Sequence, residues 1–225
     1  MNRRLILLLF EVLAVKAIVF ALDHEPSFYF EDSAIYLTTA IGKWIPPDHS
    51  FVYGLLLRPV AVWPRSLMPM VVMQVALSGI ASWLVGVCLV RYFGASFKIA
   101  ALCSIACAVE PLQLMRERYV MTETLATFGF AVLMWAMLNY LKTSGVSTLS
   151  LIQILGVLLV SLRLSFLPIV VVMSVVLPLV SRRGISFWRS SRRFAGGILS
   201  LPPVCAEPWS AASANGGRST VPIEM

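Results

Sequence analysis

Charge is scarce in this sequence. Asp, Glu, Lys and Arg make up 13% of it, against about a quarter in soluble globular domains, and mean hydropathy is +0.85. An ordinary soluble fold is therefore excluded. Cysteine and histidine are also few, four and two residues. Cys88, Cys103 and Cys107 lie inside apolar runs and Cys205 in the tail, and no pair has the spacing of a disulfide framework or zinc site. His24 and His49 match no metal motif and are assigned no metal; no cofactor is implied, and metal dependence stays open. No internal repeat is present. A net charge of +7 would raise nucleic acid as a partner for a soluble chain, but here membrane topology accounts for the basic residues and no nucleic-acid role is expected.

In place of charge there are apolar runs approaching the roughly 20 residues that cross a bilayer core of about 30 Å. They predict an all-α polytopic membrane protein. Irregular backbone cannot face lipid, so any chemistry belongs in water-filled or protein-buried space at a membrane surface. The first run, residues 5–22, resembles a secretion signal in length, but Glu11 and Lys16 interrupt it. It reads as an uncleaved span with both residues turned to other helices, because ionisable groups in a membrane seldom face lipid. Further spans are expected at 67–90, 99–109 and 119–141. The stretch 149–180 is too long for one span and is broken by Arg163 and Pro168, so it reads as two short helices with Arg163 at the turn.

That division also satisfies the rule that short basic loops stay inside. Arg3, Arg4, Arg91, Lys98, Lys142 and the five arginines at 182, 183, 189, 192 and 193 then lie inside, ten in all. Lys43, Arg58, Arg65, Arg116, Arg118 and Arg163 lie outside, six in all. The expected orientation has the N-terminus in the cytoplasm and a first outer loop at 23–66. Residues 1–193 form the membrane domain. Residues 194–206 are apolar but short and broken by Pro202-Pro203, which leaves six or seven spans. The remainder of the 194–225 tail is small and polar, with the composition of a disordered segment.

The acidic residues are unevenly placed. Eight of eleven fall on the outer side: Asp23, Glu25, Glu31, Asp32 and Asp48 after the first run, and Glu110, Glu117 and Glu123 at the join of the third and fourth. Such one-sided placement serves a catalyst better than a lipid-embedded scaffold. In the first loop, Asp32 or Ser33 is suited to cap an in-plane interfacial helix with Ala34, Leu37, Ile41, Trp44 and Ile45 at helical spacing and Pro46-Pro47 as its end. A carboxylate at a helix N-terminus stays ionised and fits the work of a general base; a cap alone is the simpler reading. Glu123 opens the fourth span beside Arg116 and Arg118, either as a site carboxylate or as part of an ion-pair cluster holding two helices together. Lys43, Arg58 and Arg163 are cations suited to a phosphate, or to anchoring at headgroups.

Taken in order, these segments resemble the GT-C class of membrane glycosyltransferases, in the protein mannosyltransferase and aminoarabinose transferase group. Glu31-Asp32-Ser33 with Tyr36 resembles that family's acidic motif on the first outer loop. The stretch from Pro47 through His49 and Tyr53 to Gly54 occupies the place of its Pro/His/Tyr-rich segment. Glu110-Pro111 and Arg118 to Thr124 resemble its link between the third and fourth spans, and Leu162-Arg163 with a displaced Pro168 its broken helices. The likeness covers residues 1–183. It implies a polyprenyl-phosphate-linked sugar donor and a lipid, protein or glycan acceptor, with Asp32 activating the acceptor and Glu123 as the second catalytic carboxylate. Glu31, Tyr36, Lys43, Arg58, Arg116, Arg118 and Arg163 are the implied substrate contacts. A bacterial inner membrane with a periplasmic active face fits that reading. Family members carry further spans, so a truncated C-terminus, inactive alone, is the expectation for the tail. A non-catalytic membrane subunit or inactive fragment stays open as an alternative. A transporter is the other, although apart from Glu11 and Lys16 the ionisable residues sit at the surfaces and not near the midplane.

Overall fold

The computed structural model describes residues 3–42 and 49–183. Among them every regular element is helical and no strand occurs; the nearest approach to a sheet is a single bridge between Ser27 and Tyr119. Three helices are long and apolar enough to cross a membrane: α1 (Arg3–Leu22), α4 (Met68–Tyr92) and α7 (Glu123–Thr143). They mark the chain as an integral membrane protein. Between α1 and α4 lie α2 (Phe30–Gly42) and α3 (Phe51–Leu57), and α3 runs on into a π turn at Arg58–Val62. Between α4 and α7 lie α5 (Phe97–Ala108) and α6 (Pro111–Arg116), and after α7 come α8 (Val146–Leu162) and α9 (Leu167–Arg183).

The expected third run at 99–109 is present as a helix, but it is not among the three long enough to cross a membrane. α5 has 12 residues, about 18 Å at 1.5 Å per residue, which falls well short of a 30 Å core. Ser96 caps its start by accepting from Ile99 N, and Val109 with Pro111 ends it. The break expected at Arg163 is present: that residue is extended (φ −149°, ψ 116°), a short 3-10 turn follows, and α8 and α9 have 17 residues each. The seventh apolar stretch, the domain boundary at 193/194, Lys43, Pro46-Pro47 and the tail lie outside the described residues.

α4 is the hub, packing against α1, α5 and α7, while α7 packs in turn on α8. Lipid supplies no hydrophobic drive between helices, so close approach of small residues does much of the holding. A Cβ added at Gly86 would come within 2.9 Å of Leu8 Cδ2 and 3.3 Å of the Ala100 carbonyl oxygen, and one at Gly79 within 2.9 Å of Leu13 Cδ2. α1 therefore lies tight on α4 at two points seven residues apart. Gly86→Val is expected to destabilise the bundle by about 1–3 kcal/mol through overpacking. Gly42→Ala, with nothing within 4 Å of the new methyl, serves as the control. Denaturation midpoints in detergent check the pair, and equal midpoints would refute the tight contact.

Lys16 of α1 faces inward, as an ionisable residue in a span should, and is 1% exposed. Glu11 does not: it lies on the exposed face of α1. The helical repeat explains the difference, since the inward stripe is Leu5, Leu8, Val12 and Lys16 and Glu11 stands about 100° off Val12.

Candidate functional site

α2 begins at Phe30, three residues earlier than capping by Asp32 requires. Asp32 therefore sits in the first turn and is not the cap. Ser33 Oγ instead accepts from Tyr29 N (2.9 Å) and donates to the Val120 carbonyl (3.2 Å). The face of α2 that packs inward is Ser33, Tyr36, Thr39 and Ala40, with Leu37 of the expected apolar stripe partly buried beside it. Ala34 and Ile41 are exposed, and Trp44 and Ile45 lie outside the described residues. The cause is α3, where the lack of a side chain at Gly54 lets Thr39 seat directly against the helix.

With that face inward, the first turn of α2 holds Asp32 against the chain that enters α3. His49 Nε2 lies 3.2 Å from Asp32 Oδ1. The next residue fixes the imidazole's position: Ser50 Oγ accepts from Tyr53 N to cap α3 and donates to the Ser161 carbonyl at the end of α8 (2.7 Å). Tyr36 stands edge-on to both His49 (5.5 Å) and Tyr53 (4.9 Å between ring centres). Burial pushes the Tyr36 phenol above its usual range, opposed by Thr122 beside it and reinforced by the charges of Glu123 and Asp32. Tyr36 is thus a protonated donor at neutral pH.

Glu123 arrives from the other side. The stretch before it is held by Gln74 of α4, whose Nε2 lies 3.1 Å from Tyr53 Oη, 3.2 Å from the Tyr119 carbonyl and 3.3 Å from that of Met121. Glu123 then opens α7 and meets Arg163 from the α8 break, Oε1 to Nη1 at 2.8 Å. The arginine is 44% exposed and the carboxylate 12%. The second carboxylate oxygen, Oε2, is buried and takes no hydrogen bond from any described residue. An unpaired buried acceptor is costly, and one held beside a half-exposed guanidinium is the kind of position a ligand hydroxyl or ammonium satisfies.

Four separate stretches thus bring Asp32, Tyr36, His49, Glu123 and Arg163 to one end of the bundle. The remaining predicted residues are elsewhere or already engaged. Arg58 donates from Nε to the Ala40 carbonyl (2.9 Å) and from Nη2 to that of Thr39 (3.4 Å), so it caps the end of α2. Arg118 forms an ion pair with Asp23, and its carbonyl accepts from Ser27 N (2.9 Å), which fastens the start of the first loop. Arg116 ends α6, half-buried, without an ion pair to either carboxylate among the described residues. Glu31 lies in the first turn of α2, and Lys43 is outside the described residues.

Two polar pairings carry no readable signal in the sequence. His49 enters only through the resemblance of the Pro47 to Gly54 stretch, with no periodicity or metal spacing to join it to Asp32. The Lys16–Glu117 ion pair joins residues 101 positions apart, both almost wholly buried. Ser78 and Gln113 border the Glu117 carboxylate. Among the described residues no three His, Cys, Asp or Glu side chains gather into a metal-ligand set. Compared with known families, curated proteins and solved structures, the chain matches no family model, no curated protein and no solved structure.

Proposed function

We propose that this chain is a GT-C type glycosyltransferase, or the N-terminal part of one, moving a sugar from a polyprenyl-phosphate-linked donor to an acceptor at a membrane face. The observation that carries the proposal is the convergence of Asp32 with His49 and Tyr36, and of Glu123 with Arg163, from four stretches of sequence at one end of an apolar bundle. In this reading Asp32, partly exposed, takes the proton from the acceptor hydroxyl or amine. The acceptor's lone pair attacks the anomeric carbon, the bond from that carbon to the phosphate oxygen breaks, and the electron pair leaves on polyprenyl phosphate. Arg163, the half-exposed cation of the group, stabilises the departing charge. Glu123 Oε2 accepts from a sugar hydroxyl, and Tyr36, through its protonated phenol, serves as a donor at the same end.

Six spans fit this scheme, with α5, α8 and α9 as its short members and α2 with α3 lying in the interface. The N-terminus then faces the cytoplasm and the carboxylate end faces the periplasm of a bacterial inner membrane. Arg58 and Arg118 favour a second reading, a non-catalytic subunit, because two of the expected phosphate contacts are occupied by internal bonds. Binding in nanodiscs separates the two. Wild-type protein is expected to retain a polyprenyl-phosphate sugar, and Glu123→Gln and Arg163→Gln to lower retention by about tenfold each, the value of one charge-assisted contact. Equal retention by all three, or none by wild type, favours the subunit.

A further inference from the structure

A groove of about 680 Å³ lies away from the carboxylates. It runs between α1, α4 and α7 and is lined by Leu5, Trp83, Val87, Phe128 and Trp135, with Arg91 at its end. On α4 the lining extends from Ile80 to Arg91, about 16 Å at 1.5 Å per residue. That is half of a 30 Å hydrocarbon core, the depth of one leaflet. The polar tip of Trp83 is already engaged, donating from Nε1 to the Leu5 carbonyl (2.8 Å), so the groove wall is mainly apolar up to the guanidinium.

Arg91 is exposed and makes no ion pair among the described residues. The helix ends around it carry Arg3, Arg4, Lys98 and Lys142, with no Asp or Glu in those terminal turns. Lys142 is committed locally: its Nζ donates to the Arg91 carbonyl and sits 4.4 Å from the centre of the Tyr92 ring.

The geometry points to a site for one anionic glycerophospholipid, its acyl chain in the groove and its phosphate on Arg91. A guanidinium grips a phosphate with two parallel hydrogen bonds, and a chain along Trp83, Val87 and Trp135 covers apolar surface one leaflet deep. A soluble anion leaves the groove unfilled, and a neutral apolar lipid leaves the guanidinium unpaired. The site lies at the opposite end of the bundle from the proposed transfer site and does not depend on it.

The test uses the full chain in nanodiscs of mixed phosphatidylglycerol and phosphatidylcholine, followed by native mass spectrometry of lipids retained in detergent. Wild-type protein is expected to retain phosphatidylglycerol in preference, and Arg91→Gln to lower that preference about tenfold, the value of a charge-assisted contact. Lys98→Gln, which removes a charge from the same end outside the groove lining, is expected to keep it. An unchanged preference in Arg91→Gln overturns the site. Equal losses in the two variants also overturn it, since they would show a diffuse attraction of the basic face for anionic lipid.

Discussion

Replacing Asp32 with Asn is expected to lower sugar transfer by about 10²–10⁴-fold, the usual contribution of a general base. The protein should keep its melting midpoint and its retention of polyprenyl-phosphate sugar. Asn has nearly the shape of Asp and still offers an oxygen to His49, so the 3.2 Å contact and the Tyr36 packing behind it survive. What disappears is the capacity to accept a proton. Asp32 is 39% exposed at the side chain and His49 18%, so the pair stands where an acceptor reaches it and its neutralisation leaves no buried charge behind. The loss should therefore fall on kcat and on kcat/KM alike, with KM steady, as for an interaction made only in the transition state. Transfer of labelled sugar in nanodiscs, with saturating donor, measures this. Activity within a few-fold of wild type would remove Asp32 from the role of base, and a melting midpoint that fell with activity would make it a structural partner of His49.

How far the sequence reveals this arrangement differs from element to element. α4 and α7 are legible because long apolar runs have one stable solution in a bilayer. The break at Arg163 is legible because a 32-residue apolar stretch carrying an arginine and a proline has no reason to stay straight. α5 is legible in its position and length, since Ser96 at one end and Val109 with Pro111 at the other limit it to 12 residues, and what the run does not reveal is how so short a helix sits in a bilayer. The inward face of α2 escapes a hydrophobicity argument for a different reason. Apolar positions in an interfacial segment have two places to go, lipid or protein, and here Ile41 is exposed while Tyr36 and Thr39 pack against α3. Among the candidate site residues, Asp32, Glu123 and Arg163 are legible as ionisable groups at run boundaries, yet their pairing is not. Asp32 with His49 and Glu123 with Arg163 depend on how α2, the start of α7 and the α8 break are packed. Arg58 and Arg118 look equally available in the sequence and prove occupied only once the carbonyls of Thr39 and Ala40 and the carboxylate of Asp23 are placed beside them.

The largest stability effect should come from the Lys16–Glu117 pair, far from the proposed chemistry. Lys16→Met alone is expected to cost about 3–5 kcal/mol, because it leaves Glu117 buried without its counter-ion. Against a total of about 5–15 kcal/mol for a typical domain, that removes much of the margin. Both residues are nearly inaccessible, 1% and 2% exposed, and Glu117 has only the uncharged Ser78 and Gln113 for further support. Glu117→Leu alone should cost a similar amount by leaving the ammonium unpaired between α1 and α4, close to the tight contact at Gly79. The double variant Lys16→Met with Glu117→Leu removes both charges and keeps most of the volume, and should recover most of the loss, since apolar replacements of buried pairs are often neutral or stabilising. Denaturation midpoints of the four proteins form a double-mutant cycle. Additive losses would mean that the two charges do not depend on each other and that the contact is incidental. Recovery in the double variant would show that the pair selects how α1 seats on the bundle, not that it adds net stability, and it predicts that sugar retention at the carboxylate end returns along with the fold.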